Sequence, residues 1–182
     1  MKVPKKPLKV FFNASVVIAG IISPSGGSGK LLELVTNKQI EGAISELILD
    51  EVLRHTDKIG RSQYAIEKKV RTIFSPIFPT PSLALVNIWK KLVIDIGDAH
   101  VLASAYSIKC NFLVTLDRKH LLILQEKVRK FKIVTPKQLI LYLNAPKKSE
   151  ILSLAGKLHK YYLKNKKINI NKIRDYIDYS EA

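Results

Sequence analysis

An α/β fold built on a mainly parallel sheet is what this sequence predicts, and three observations carry the prediction. A short β-branched and aromatic run with almost no polar residue, Leu8 to Phe12, reads as a strand buried on both faces, and Phe112 to Thr115 reads as another strand. Segments with helical spacing of apolar residues alternate with these runs, so the order is repeatedly β then α. Two polar residues, Asn13 and Asp117, stand just beyond strand ends, where a parallel sheet collects ligands.

The first strand, Leu8 to Phe12, ends at Asn13 and leads into a short helix from Ser15 to Ile22. The cluster Ser23-Pro24-Ser25-Gly26-Gly27-Ser28-Gly29 is expected to break the chain, and helix resumes from Lys30 to Asn37 with Leu31, Leu34 and Val35 on one face. Glu41 to Ile44 is a second short strand. Ser45 is placed as the N-cap of a helix running through His55, with Leu49, Val52 and Leu53 inward. Another helix spans Ser62 to Phe74, Pro76, Pro79 and Pro81 punctuate an extended piece, and Leu83 to Lys91 forms a further helix. Asp95-Ile96-Gly97-Asp98 opens a helix to about Lys109, striped by Val101, Leu102, Ala105 and Ile108. The strand Phe112 to Thr115 follows, then Asp117, a last strand at Ile133 and Val134, and a helix from Pro136 to Leu143.

Residues 1–145 form one expected domain, which a chain of 182 residues can build around a single core. Ala145 to Ser149 reads as a linker and residues 150–182 as a helical extension, with Ile151, Leu154, Ala155, Leu158 and Tyr162 as an amphipathic stripe and a second short helix over 169–179. Lys164, Lys166 and Lys167 form the nearest approach to low complexity.

Lysine and arginine number 31 against 15 acids, a formal charge of +16, which favours a polyanionic partner such as nucleic acid over a merely solvated basic face. With hydrophobic residues at 47%, the chain has enough apolar content to fold rather than remain disordered. Cys110 is the only cysteine, so an internal disulfide is excluded and a reducing, cytoplasmic location is expected. The lysine-rich start followed by Val10 to Ile22 imitates a secretory signal, but Asn13 and Ser15 interrupt the run, Pro24 occupies the cleavage region, and removal would delete the first strand. No stretch approaches the roughly 20 apolar residues of a membrane span.

In a sheet of this kind, Asn13, Asp117, Asp98 in the first turn of its helix and Glu51 in mid-helix can converge on one end. Clustered carboxylates repel one another unless a cation neutralises them, which points to a hard divalent metal such as Mg²⁺ or Mn²⁺ and to metal-assisted hydrolysis of a phosphodiester. Each acid also has a purely structural role available: Asp98 at a helix N-terminus, Asp95 as its N-cap, Glu51 on an exposed helix face, Asp117 in a turn. At 38, 47 and 19 residues apart, the four positions form no compact ligand motif. Other chemistries fail on the residues. A phosphate-binding loop over Ser23 to Lys30 needs glycine at position 24 and Ser or Thr at 31, where Pro24 and Leu31 stand. His55, His100, His120 and His159 lack zinc-ligand spacing, and Cys110 reads as packing.

Taken together, five ordered segments resemble the PIN-domain ribonucleases. Val10 to Gly20 resembles the family's opening strand and helix. Ser23 to Gly27 with Leu31 to Leu34 resembles its loop and second helix, and Ile44 to Leu53 its glutamate-bearing helix. Asp95 to Ala103 and Thr115 to Leu121 resemble its third and fourth acidic motifs. The likeness covers about residues 8–143 and implies a three-layer α/β/α fold and a metal-dependent RNase, often the toxin of a toxin–antitoxin pair of the VapC kind. It further implies Mg²⁺ or Mn²⁺ held by position 13, Glu51, Asp98 and Asp117, with Asp95 auxiliary, Thr115 near the pocket, and Arg118 and Lys119 on RNA phosphate. RNA and a cognate antitoxin are the partners it suggests; a second copy in a homodimer is a further expected partner.

Asn13 departs from the pattern, since the family places an aspartate there. The amide keeps the shape of the carboxylate and loses its charge, weakening metal affinity. Two readings follow, a ribonuclease with an impaired site and a silent PIN-fold module that binds RNA or protein. The segment Ile151 to Leu158 faintly resembles the docking segment of some antitoxins; an ordinary helical extension or dimer element is the alternative.

Overall fold

The computed structural model describes residues 7–145, 153–158 and 160. Four strands, β1 (Lys9–Phe12), β2 (Glu41–Ala43), β3 (Phe112–Val114) and β4 (Lys132–Val134), form one sheet in the order β2-β1-β3-β4. Every pairing is parallel, with Val10 opposite Gly42 and Phe112, and Val114 opposite Phe12 and Val134. The expected α/β class is therefore the observed one. The chain leaves β1 for β2 on one side and returns to β3 on the other, so the strand order reverses between β1 and β3. A parallel sheet opens a crevice at the carboxyl ends of such a pair.

Helices α1 (Ala14–Ile22) and α2 (Gly27–Thr36) cross from β1 to β2. Between β2 and β3 run α3 (Glu46–Leu53), α4 (Thr56–Ile59), α5 (Gln63–Ile73), α6 (Leu83–Lys90) and α7 (Ala99–Ser107), and α8 (Pro136–Asn144) follows β4. The central strands are apolar because both faces are covered: Val10, Phe11, Phe12, Leu113 and Val114 are fully buried among Ile48, Val52, Leu102 and Phe74. Phe12 and Phe74 meet edge to face at 5.2 Å between centroids. The stripe expected on α7 is real, with Val101, Leu102 and Ala105 buried and Ile108 packed against the core.

Four local expectations are corrected. α2 begins at Gly27 rather than Lys30, because Gly29 lies so close to the Pro24 main chain that any Cβ would collide with it, and this close turn lets helix start inside the glycine cluster. The helix expected through His55 ends at Leu53 and is followed by the separate short α4, which stops at Gly60 in the left-handed region (φ 68°). The helix expected from Asp95 opens as a 3₁₀ turn, Ile96–Asp98, before α7. Ser45 occupies the N-cap position of α3 but makes no side-chain cap, and its Oγ is buried without a partner. Its main chain instead bridges to Phe78, prolonging the β2 direction, so tertiary pairing prevails over local capping.

Contacts divide the chain into two compact units, Met1–Leu143 and Asn144–Ala182. In the second, residues 153–158 are helical, with Leu154 exposed. Ile151, Leu152, Tyr162, the cluster Lys164, Lys166 and Lys167, and the helix expected over 169–179 lie outside the described residues. No helix among the described residues is long and apolar enough to cross a membrane.

Candidate metal centre

Asn13 follows the last residue of β1 and caps α1. Its main-chain N–H continues the ladder onto Val114 O at 3.0 Å, which pins it at the carboxyl end of the sheet. Only 6% of the residue is exposed. Oδ1 accepts from Ala14 N–H at 2.7 Å, so the amide is oriented with Nδ2 donating to Thr115 Oγ1 at 2.9 Å. The same hydroxyl oxygen accepts from Asp117 N–H at 3.1 Å. Thr115, wholly buried after β3, thus joins the ends of the two central strands.

Beyond Thr115 the chain turns on Asp117. Its Oδ1 accepts from the N–H groups of Lys119 and His120, both at 2.9 Å, the local closure that Asp supplies in a tight turn. This brings the His120 ring back over the acids: Nδ1 lies 3.2 Å from Asp117 Oδ2 and 3.6 Å from Asp98 Oδ2. Asp98 ends the 3₁₀ turn that precedes α7, and Asp95 Oδ1 accepts from Gly97 N–H at 2.8 Å. Ligand atoms of Asp95, Asp98 and His120 all lie within 4.8 Å of one another.

Asp98 carries the electrostatic signature of the site. Burial, then the negative charges of Asp117 and Asp95, push its carboxyl up to about 6; His120 opposes the rise and Glu51 adds to it. Three other acids therefore act on the Asp98 charge: Asp117 beyond β3, Asp95 at the 3₁₀ turn and, least, Glu51 on α3. Burial also raises the Glu51 carboxyl, against His55 and Arg54. The Asp98 side chain is 20% exposed, yet its Oδ2 is buried with no hydrogen-bond partner. In a chain with 31 lysines and arginines, no such residue among those described forms an ion pair with Asp95, Asp98 or Asp117.

A divalent cation fits this donor set. A carboxylate oxygen with no hydrogen-bond partner, a raised carboxyl and mutually repelling acids with no lysine or arginine paired to them among the described residues are the features that a cation neutralises. Sequence reasoning weighed His120 only against zinc-ligand spacing and did not include it. The signal was available in the spacing Asp117-x-x-His120, which a turn closed by the Asp side chain converts into contact. Arg118 and Lys119 extend the turn on its exposed side.

A family model described as a PIN domain matches residues 9–119. Among solved structures, PAE2754 from Pyrobaculum aerophilum is similar at 23% identity and a TM-score of 0.51, covering 76% of this chain and 91% of that one. VapBC2 from Rickettsia felis, solved bound to a DNA fragment from their promoter, aligns at 17% identity and a TM-score of 0.49 over 70% of this chain and 98% of that one. No curated protein sequence matches the chain significantly.

Proposed function

Because the chain belongs to the PIN domain family, we propose that it is a ribonuclease of that type, hydrolysing RNA phosphodiesters with Mg²⁺ or Mn²⁺ at Asp95, Asp98, Asp117 and Glu51. The observation that carries the reading is the buried Asp98 Oδ2, without a hydrogen-bond partner, in a carboxyl that burial first and then the charges of Asp117 and Asp95 push up to about 6. When bound, a divalent cation neutralises these carboxylates, polarises a phosphoryl oxygen and acidifies water. In the reaction the oxygen of water adds to phosphorus and one P–O ester bond breaks, leaving a phosphate on one fragment and a hydroxyl on the other.

The side chains divide this work. Asp98 and Asp95 present oxygens to one point, and Asp117 anchors the turn through Oδ1 while Oδ2 faces the site. Glu51 adds negative potential from α3. Thr115 holds Asn13 and the Asp117 main chain in register, and Arg118 and Lys119 offer positive charge to RNA phosphates.

A second reading has its own observation. The Asn13 amide is engaged at both ends, accepting from Ala14 N–H and donating to Thr115 Oγ1, so this neutral side chain is held in place without a cation. It supports a silent PIN-fold module that binds RNA or protein. In the enzymatic reading the chain is a toxin with a cognate antitoxin, which rests on the sequence resemblance, while a cytoplasmic location rests on the single Cys110 and a homodimer on the extension serving as a dimer element. Single-stranded RNA is incubated with the Asn13 chain and with its Asn13→Asp variant, with Mn²⁺, Mg²⁺ or chelator. The enzyme reading expects metal-dependent cleavage by the variant, about tenfold or more above the Asn13 chain. RNA binding without cleavage by either protein supports the silent module.

A further inference from the structure

We infer that His120 is a nitrogen ligand of the divalent cation, and that the cation site of this chain is centred on Asp95, Asp98 and His120 rather than on position 13. The inference rests on the metal-dependent reading above and deepens it.

Three observations lead there. First, Asn13 brings no charge, and its Oδ1 and Nδ2 are both engaged by Ala14 N–H and Thr115 Oγ1. Its amide is thus committed to joining β1 and β3. Second, the group of ligand atoms that draws within 4.8 Å, the only one of its kind among the described residues, is Asp95, Asp98 and a ring nitrogen of His120. Third, His120 is held there by main-chain geometry, because its own N–H is fixed to Asp117 Oδ1 at 2.9 Å. Its Nδ1 lies 3.2 Å from Asp117 Oδ2, in a hydrogen bond that a bound cation would replace, and 3.6 Å from Asp98 Oδ2, and the side chain is 37% exposed.

The chemistry differs from an all-carboxylate site. A neutral imidazole replaces an anion, so the donor set has less charge and includes a softer atom. Mg²⁺ demands oxygen ligands, whereas Mn²⁺, Co²⁺ and Zn²⁺ accept imidazole. The chain is therefore expected to bind Co²⁺ and Mn²⁺ in clear preference to Mg²⁺, with His120 responsible for part of that preference. A residue that merely orients Asp117 and Asp98 by hydrogen bonding would affect all these ions alike.

The test uses the full chain and its His120→Gln, His100→Gln and Asn13→Asp variants, each checked for native circular dichroism. Affinities for Co²⁺ and Mg²⁺ are measured by calorimetry, and the Mn²⁺-loaded proteins are examined by pulsed electron paramagnetic resonance for hyperfine coupling to a directly bound nitrogen. His100 is the control, being two residues from Asp98 with its Nδ1 buried and without a partner. The inference expects a nitrogen coupling that persists in His100→Gln and disappears in His120→Gln. It also expects Co²⁺ affinity to fall about tenfold or more in His120→Gln, with a much smaller change for Mg²⁺. An equal loss for both ions, or a coupling that survives in His120→Gln, overturns it while leaving the nuclease reading intact. Absence of metal binding by both the Asn13 chain and its Asn13→Asp variant overturns both.

Discussion

Asn13 Nδ2 donates to Thr115 Oγ1 at 2.9 Å, joining two residues 102 positions apart at the ends of adjacent parallel strands. The Thr115 oxygen also receives Asp117 N–H, so one buried hydroxyl serves the first strand and the turn that carries the acids. Replacing Thr115 by valine keeps the shape and strands both donors. The expected cost is about 1–3 kcal/mol, read as a lower urea midpoint at unchanged slope, and Thr115→Ser should recover most of it. A Thr115→Val protein as stable as the parent would show that these bonds contribute nothing net.

Asp98 predicts an unusual dependence on pH. Its carboxyl titrates at about 6 in the folded protein against 3.8 as the reference. Between those values the folded state holds a proton that the unfolded state has released, so stability falls as pH rises through that window and levels off above it. In chelator-treated protein, Asp98→Asn should therefore stabilise by roughly 1–2 kcal/mol at pH 7, and the gain should vanish near pH 4. A variant less stable than the parent at pH 7 would contradict the cluster of repelling acids. The same substitution is expected to weaken Mn²⁺ binding, so the apo gain and the loss of binding are opposite signs of one cause.

Gly20 lets α1 pack tightly against α2. A Cβ there would stand 2.6 Å from Leu32 Cδ1 and 3.1 Å from the Ser28 main chain. The leucine tip can move but the main chain cannot, so Gly20→Ala should lose about 1–3 kcal/mol despite alanine's better helix propensity. Thermal unfolding of the variant checks this, and a raised midpoint would show that the helices can part cheaply.

RNA affinity supplies a fourth expectation. With a formal charge of +16, binding of single-stranded RNA should weaken steeply with salt. If Arg118 contacts phosphate, Arg118→Ala lowers the slope of log affinity against log salt by about 0.7. Affinity insensitive to salt would remove the basic face from the account, whether or not the chain cleaves RNA.

Much of this architecture could be read along the chain because its signals are local. The largely apolar runs at Leu8 to Phe12 and Phe112 to Thr115 mark strands, and the spacing of Val101, Leu102 and Ala105 marks the inward face of α7. The polar residues that end those strands, Asn13 and Asp117, were recognisable for the same reason. Element starts were less legible where packing overrode local preference: helix begins inside a glycine cluster at Gly27, and Ser45 gives up its cap to pair with Phe78.

The sequence by itself determined the α/β class and the strand ends, since each follows from residue type and period; the acids stood out as a set only through the resemblance to a family. Only the tertiary structure decided which groups meet. The register of β1 against β3 sets Asn13 on Thr115, the 3₁₀ turn orients Asp95 and Asp98 together, and the turn on Asp117 carries His120 to their oxygens. Those distances depend on strand pairing and turn closure across about a hundred residues, and spacing along a chain holds no information about a contact that the fold itself creates.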